Sequence, residues 1–454
     1  MLIVVGACLW RCAAANNDLW LDEIWSLRAV MELTSPWQVF TAIHSDNNHY
    51  LNSLWLYWLG DGWRGSLIYR SVPVFWGTLT VVAAAWLGAR ESSTGRWVYA
   101  LLFASSFGLV QYSSEARGYG SLFFFCLLSY GLASTATARR DLKTCVGFSL
   151  SLMLGMLSHP CFVQAAAGLG VWLGLEFWKR RQGWRDFFLR LGAYFGPALA
   201  LIVALWWVDL RHLHPGGANR LGVLLGAHDA LRWLWTGLDW PAVTWLSGLL
   251  VGALLLSLLQ YKSRECWFFL VSILVAPPAF LALARIDFVH PRYFLVSVIF
   301  LLVLLARQLS RQLESAHRIR RWGAACLLFL FVAANLSAGF RLIRLGRGDY
   351  REALQWICDQ SPGRRAVSLG GDNDFRNSVV VDFYAGRLKT SPSLRYFRQS
   401  EWPSGGPDWL LIHALQPEPQ VPPRVLTPTA SYAIRRRFYA APLSGWQWFV
   451  YQKE

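Results

Sequence analysis

Apolar residues in this chain come in long unbroken runs, without the strict alternation of a half-buried strand. The runs cover roughly 1–15, 67–89, 97–113, 119–137, 143–158, 161–178, 187–208, 241–261, 266–284, 291–306 and 321–341. A helix needs about 20 such residues to cross a hydrocarbon core. In lipid only helices and closed barrels satisfy every backbone polar group, and continuous runs select helices over alternating barrel strands. The pattern therefore predicts eleven spans, give or take one or two. The stretch 49–60 (HYLNSLWLYWLG) is apolar but too short to cross, and reads as a helix lying in the interface.

Past Arg344 the pattern changes. Tyr350–Gln360 (YREALQWICDQ) has helical spacing, and Ala366–Leu369, Trp409–Ile412, Tyr432–Tyr439 and Trp446–Tyr451 read as short strands between Gly/Pro-rich turns. The expected organisation is an all-α polytopic membrane domain over 1–342, with an external loop at 16–66, and a small soluble α/β domain over 343–454. No internal repeat, heptad pattern or low-complexity tract interrupts it.

Composition agrees. Of 454 residues, 55% are hydrophobic and only 15% charged, against roughly a quarter charged in soluble domains. The net charge of +16 first suggests nucleic acid, but its distribution excludes that partner. Arg90 and Arg96; Arg139, Arg140 and Lys143; Lys179, Arg180, Arg181 and Arg185; Lys262 and Arg264; and Arg307, Arg311, Arg318, Arg320 and Arg321 sit in connections between apolar runs. If 49–60 does not cross, all of these fall on one side, which the positive-inside rule makes cytoplasmic. The opposite side receives 16–66, 111–118, 158–160, 209–240, 284–290 and everything after 342. The eight Cys form no CxxC pair, so neither a zinc ribbon nor a disulfide framework is indicated. The opening MLIVVGACLWRCAAA is short for a span and slightly resembles a signal peptide; a first transmembrane helix is the preferred reading.

Every polar cluster with chemical potential falls on the non-cytoplasmic side. These are Asp22-Glu23; His44, Asp46 and His49 within HSDNNHY; Glu115, Arg117 and Tyr119 within YSSEARGY; His159-Pro160; and His290-Pro291-Arg292-Tyr293. Each has a plain alternative. His-Pro at a helix end is usually a cap, a Glu-Ala-Arg turn usually a local ion pair, and Tyr at headgroup level usually an anchor. Five clusters on one face are harder to dismiss, because ionisable groups at membrane depth are costly and commonly functional. Their chemistry suits a lipid-carried sugar phosphate. Arg117 and Arg292 offer guanidinium forks for phosphate oxygens. Asp22, with Glu23 beside it, can take a proton from an acceptor hydroxyl as the anomeric carbon gains oxocarbenium character. His44, Asp46 and His49 can orient an acceptor or ligate a divalent cation; no high-specificity metal spacing decides between them.

On these residues the chain resembles the GT-C superfamily of membrane glycosyltransferases, near the bacterial lipid A aminoarabinose transferases and the protein O-mannosyltransferases. The resemblance rests on LDEIWS after the first run, DNNHYLNSLWLYWLG before the interfacial helix, YRSVPVFWGTLTV entering the next span, YSSEARGYGSL, HPRYFL, and GDYREALQWI after the last span. It covers most of the chain in order. The Asp-Glu loop and the Glu-Ala-Arg-x-Tyr turn are its specific parts. It departs in lacking the family's double proline, where Asn48-His49-Tyr50 stands, and in its short C-terminal domain. The resemblance implies a fold of about eleven to twelve transmembrane helices with interfacial helices in the first external loop. It also implies an inverting transferase in a bacterial inner membrane, using a polyprenyl-phosphate sugar donor and a glycan, lipid or protein acceptor. Asp22 would be the base and Arg117 a phosphate contact. Glu23, His49, Glu115, Tyr119, Arg292 and Tyr293 carry over less firmly, and His159 and His290 stand beside them as substrate or metal candidates. Two other classes remain: a transporter or flippase of a lipid-linked glycan, which would want polar residues through its spans, and a non-catalytic envelope assembly protein.

Overall fold

Length and sequence-wide apolarity decide most of the architecture. The computed structural model describes residues 1–60, 62, 64–138, 141–213, 222–238, 241–259, 264–284, 289–388, 392–415 and 420–454; Arg139, Arg140 and Lys262, counted above in the charge pattern, lie outside the described residues. The chain is mostly helical and divides into two compact units. The first comprises 1–12, 32–59 and 70–339, and the second 13–31, 60–69 and 340–454.

Among the described residues, six helices are long and apolar enough to cross a membrane: Ser71–Ala89, Tyr119–Ala138, Trp184–Val208, Glu265–Leu283, Pro291–Leu313 and one beginning at Arg318. They correspond to six of the eleven predicted spans. Leu2–Ala15, Leu142–Ser158 and Trp245–Leu258 are apolar but shorter. At the centre of the first unit stands Leu295–Leu313, whose residues from Leu295 through Ala306 are all buried. A helix apolar all round belongs in such a position. Trp184–Val208, by contrast, leaves Leu199, Val203, Trp206 and Trp207 exposed, an apolar face that lipid would cover.

The run 97–113, expected as one span, is instead two helices, Ser93–Ser105 and Phe107–Ser113, interrupted at Ser106 (φ −53°, ψ 115°). Neither Pro nor Gly marks the break. Its freed backbone groups are met from distant segments: Arg11 donates through Nη2 to the Phe103 carbonyl (3.1 Å), and the Phe107 N–H donates to Asn335 Oδ1 (2.8 Å). A cation beside the last carbonyls of one helix and a side-chain acceptor at the start of the next are standard helix-end chemistry. The hairpin before the break is equally tight. A Cβ on Gly88 would meet the Gly95 carbonyl oxygen at 2.3 Å, so small residues set that spacing.

Arg307 ties four segments together. Its guanidinium reaches Glu91 (2.8 Å), Glu265 (3.1 Å) and the Tyr130 hydroxyl (2.7 Å), while Tyr99 donates to Glu91 (2.9 Å) and Tyr130 to Glu265. Its sequence context placed it among solvated loop cations, yet its side chain is only 13% exposed.

Among the described residues of the second unit, six strands form one sheet: β1 (Ala366–Gly371), β2 (Ser393–Tyr396), β3 (Trp409–Ala414), β4 (Arg424–Leu426), β5 (Ser431–Phe438) and β6 (Gln447–Lys453). The order is β2-β1-β3-β6-β5-β4, with β1 parallel to β2 and β3 and the remaining pairs antiparallel. Four strands and the helix Tyr350–Asp359 match the sequence pattern. β2, β4 and the helix Asp374–Ala385 carry no clear periodicity and were not anticipated. The helix Leu21–Met31 packs on Asp374–Ala385, with Trp25 edge-on to Phe375 at 4.9 Å. It buries Leu21, Ile24 and Leu27 at helical spacing, each worth about 1.5–3 kcal/mol. Tyr384 donates to the Leu19 carbonyl (2.9 Å), and the Arg351 N–H donates to Asp18 Oδ2 (2.7 Å). These contacts explain why 13–31 groups with the sheet.

Arg307→Ala strands two part-buried carboxylates. The expected loss is about 2–3 kcal/mol, discounted for partial exposure from the roughly 3–5 of a fully buried pair. Thermal unfolding of the detergent-solubilised protein checks it.

Candidate functional site

Within the first unit the turn 115–118 is the organising element. The Arg117 N–H donates to the Glu115 carbonyl (2.7 Å), turning the chain back on itself. Gly118 has no room for a side chain: a Cβ there would lie 1.9 Å from the Ser158 carbonyl oxygen and 2.9 Å from the His49 Cβ. That contact brings the Glu-Ala-Arg turn against the His159-Pro160 turn and the start of the helix Tyr50–Leu59. Asn52 Nδ2 donates to the Ala116 carbonyl (2.7 Å), and Arg117 Nη2 donates to Asn47 Oδ1 (2.6 Å). Asn48 braces the same loop, donating to the Val39 and Ile43 carbonyls and accepting from the Ser53 hydroxyl.

Three sequence-predicted groups meet here as rings. His49 stacks on His159 (centroids 4.5 Å, 22° between planes), and Tyr119 lies 4.5 Å from His159 and 5.6 Å from His49. Arg117 sits over the Tyr119 ring at 5.1 Å. His49, His159, Arg117 and Glu115 are all buried. Burial holds the proton affinity of both imidazoles well below the ordinary value; the next causes are the paired His159 ring and then Arg117 and Arg292 for His49, and Arg117 and Arg292 for His159. Both rings are therefore neutral at pH 7. Among the described residues, the buried His49 Nε2 and Tyr112 hydroxyl have no hydrogen-bond partner, leaving donor or acceptor capacity for a bound molecule.

The two His-Pro motifs share one local geometry. His159 Nδ1 accepts from the Cys161 N–H (3.0 Å), and His290 Nδ1 accepts from the Arg292 N–H (3.2 Å). Each is a cap, as the plain reading held, and each fixes the neutral proton on Nε2. Arg292 and Tyr293 occupy the 3₁₀ turn Pro291–Phe294, where the Tyr293 carbonyl accepts from Gln164 (3.0 Å). Half-buried Asp46 lies close enough to act electrostatically on Tyr293.

His44 has a partner that sequence reasoning missed. Its Nδ1 lies 2.7 Å from Asp209 Oδ1, and the Tyr50 hydroxyl donates to Asp209 Oδ2 at 2.5 Å. Asp209 is 1% exposed. The only local signal was an acid directly after the apolar run ending LWWV. Asp22 and Glu23 belong to the second unit, in the first turn of Leu21–Met31. Asp22 is half-buried. Glu23 is fully buried, and its Oε2 accepts from the Trp20 N–H (3.2 Å), in the manner of a capping box. Among the described residues no group of three or more His, Cys, Asp or Glu is arranged to hold a metal ion. The set His44, Asp46 and His49, considered for a divalent cation, therefore does not form one. No protein-family model matches the chain, and no curated protein matches it.

Two measurements follow. Gly118→Ala must displace either the Ser158 backbone or His49, so an unfolding penalty of at least about 3 kcal/mol is expected, at the upper end of overpacking. Unfolding of both imidazoles exposes groups that bind protons more readily than in the folded state. Stability is thus fully present above about pH 6.5 and falls as pH drops below it. Melting midpoints from pH 7.5 to 5.5 test this, and His159→Asn should flatten the slope.

Proposed function

We propose that the protein transfers a glycosyl group from a polyprenyl-phosphate sugar to an envelope acceptor, with inversion. The observation carrying this reading is the gathering of Arg117 and Arg292 around the buried His49 and His159, with both guanidiniums acting on each imidazole. A water-poor setting with two guanidiniums, ring faces and an unused imidazole nitrogen suits a phosphodiester that must leave with a pair of electrons. In this reading Arg117 and Arg292 hold the phosphate, while Tyr119, Tyr293 and Glu115 shape its surroundings. From the sequence resemblance, Asp22 is the residue proposed to take the acceptor proton, and Glu23 fixes the first turn of its helix. Six helices among the described residues are long and apolar enough to cross a membrane, which supports a lipid-linked donor. The loop-charge asymmetry supports a non-cytoplasmic C-terminal unit, and the resemblance suggests a bacterial inner membrane.

One observation favours a second reading. The helix broken at Ser106 is a device transporters use at substrate sites, and a flippase of lipid-linked glycans would move the donor without forming a glycosidic bond.

In reconstituted membranes with a polyprenyl-phosphate sugar, Asp22→Asn should lower transfer by at least about 10²-fold. Unchanged transfer removes Asp22 as base, and translocation without a new glycosidic bond selects the flippase. Arg117→Ala should chiefly raise the apparent KM for donor, and an unaltered KM argues against phosphate binding. For orientation, a cysteine placed at the exposed Ala366 in a cysteine-free background should react with an impermeant reagent from the non-cytoplasmic side alone.

A further inference from the structure

A buried polar side chain that leaves its hydrogen-bonding capacity unspent needs a reason to be polar. Two such groups meet at the Tyr119 ring. Tyr112 stands edge-on to it with centroids 4.9 Å apart, and His49 lies 5.6 Å from it. Tyr112 is 1% exposed and His49 2%. Among the described residues neither the Tyr112 hydroxyl nor His49 Nε2 has a hydrogen-bond partner. The neighbours of Tyr112 behave otherwise. Ser113 and Ser114 donate their hydroxyls to the Leu109 and Val110 carbonyls one turn back, at 2.6 and 2.8 Å. Phenylalanine at 112 would fill the same space and break no hydrogen bond to the described protein, so stability does not account for the hydroxyl.

The groups within electrostatic reach of Tyr112 indicate what kind of molecule would satisfy it. They are the buried Glu115 carboxyl, the Tyr119 phenol, Arg292 and Arg117. The same two guanidiniums act on His49. Both unspent atoms therefore border the cations assigned above to the donor phosphate, and all of these residues lie in the first unit. A phosphodiester presents acceptors only, which suits the guanidiniums. A phenol near a carboxyl asks for something else, because the first can donate and the second can accept. A sugar hydroxyl answers both, since it accepts one hydrogen bond and donates another.

We propose that Tyr112 is a specificity-determining residue whose hydroxyl, with His49 Nε2, hydrogen-bonds hydroxyls of the sugar carried on the donor phosphate. This deepens the glycosyl-transfer reading and rests on it. Arg117 and Arg292 grip the phosphate that every donor shares, so they set affinity for the lipid carrier. Tyr112 and His49 distinguish one donor from another by its sugar. Neither group exchanges a proton or forms a bond in the reaction. A buried site that bonds a substrate hydroxyl discriminates strongly against the analogue lacking it, because the protein's own polar atom is then left unbonded.

The test is ligand-induced stabilisation of the full chain in nanodiscs. The melting midpoint is followed against the mole fraction of polyprenyl phosphate alone, or of polyprenyl phosphate carrying a hexose or a pentose. The wild type should bind at least one glycosylated probe more tightly than the bare carrier. Tyr112→Phe should lose about 10-fold in affinity for that probe, keep its affinity for bare polyprenyl phosphate, and melt no lower than the wild type. In a series of monodeoxy forms of that sugar, one member should bind the wild type as weakly as the parent binds Tyr112→Phe. The same member should bind the variant no more weakly still, because the two deletions remove one bond. An unchanged preference in Tyr112→Phe, or an equal loss for glycosylated and bare lipid, overturns the role of Tyr112. So does a wild type that binds the bare carrier as tightly as every glycosylated probe, which leaves the phosphate site standing. Should Tyr112→Phe fail to fold, a deoxy series in which every member binds the wild type like the parent overturns it instead. A wild type that binds neither bare nor glycosylated lipid overturns the glycosyl-transfer reading, and this role with it.

Discussion

A guanidinium or imidazole withdrawn from water is stable only where its hydrogen bonds and charge are answered nearby, and the larger unit is arranged around that requirement. Arg11 answers it with carbonyls at a helix end and the Ser113 hydroxyl. Arg307 answers it with two glutamates and a tyrosine. Arg117 has the Asn47 amide and the Tyr119 ring among its partners. The difference is chemical. Arg307 is neutralised by fixed carboxylates and acts as a clamp. Around Arg117, burial first and the guanidiniums of Arg117 and Arg292 after it hold two imidazoles below their ordinary proton affinity.

Glycine and asparagine do the positioning. Gly118 permits two turns to touch backbone to backbone, and the asparagines at 47, 48 and 52 convert that contact into a bonded frame. The functional reading thus depends on residues with little chemistry of their own. On the other side of the same loop, Asp209 orients His44 through one oxygen and is itself held by Tyr50 through the other. One short segment, 44–50, thereby contributes to both the buried Arg117 cluster and the Asp209 contacts.

The second unit follows a different logic. Its sheet combines a parallel β2-β1-β3 edge with an antiparallel β6-β5-β4 half. It gains a helix from far upstream because Leu21, Ile24 and Leu27 need a partner that their own neighbourhood does not supply. The acids at 22 and 23 come with that helix.

Much of this was legible in the residues alone. Apolar runs are local properties, so six membrane-length helices, the change of character after Arg344 and four of the six strands could be read directly, as could the charged turns. The expected count of eleven spans was not matched helix for helix: several runs form shorter helices, and the break at Ser106 is invisible locally because its bonds come from Arg11 and Asn335. Glu115, Arg117, Tyr119, His49 and His159 were each named from sequence. Their meeting was not readable, since Arg117 and Asn47 lie 70 residues apart and Tyr50 and Asp209 lie 159 apart. Composition and spacing settle what each segment can be. Only packing, which fixes the close approaches and the distant partners of buried polar atoms, settles which segments share a site.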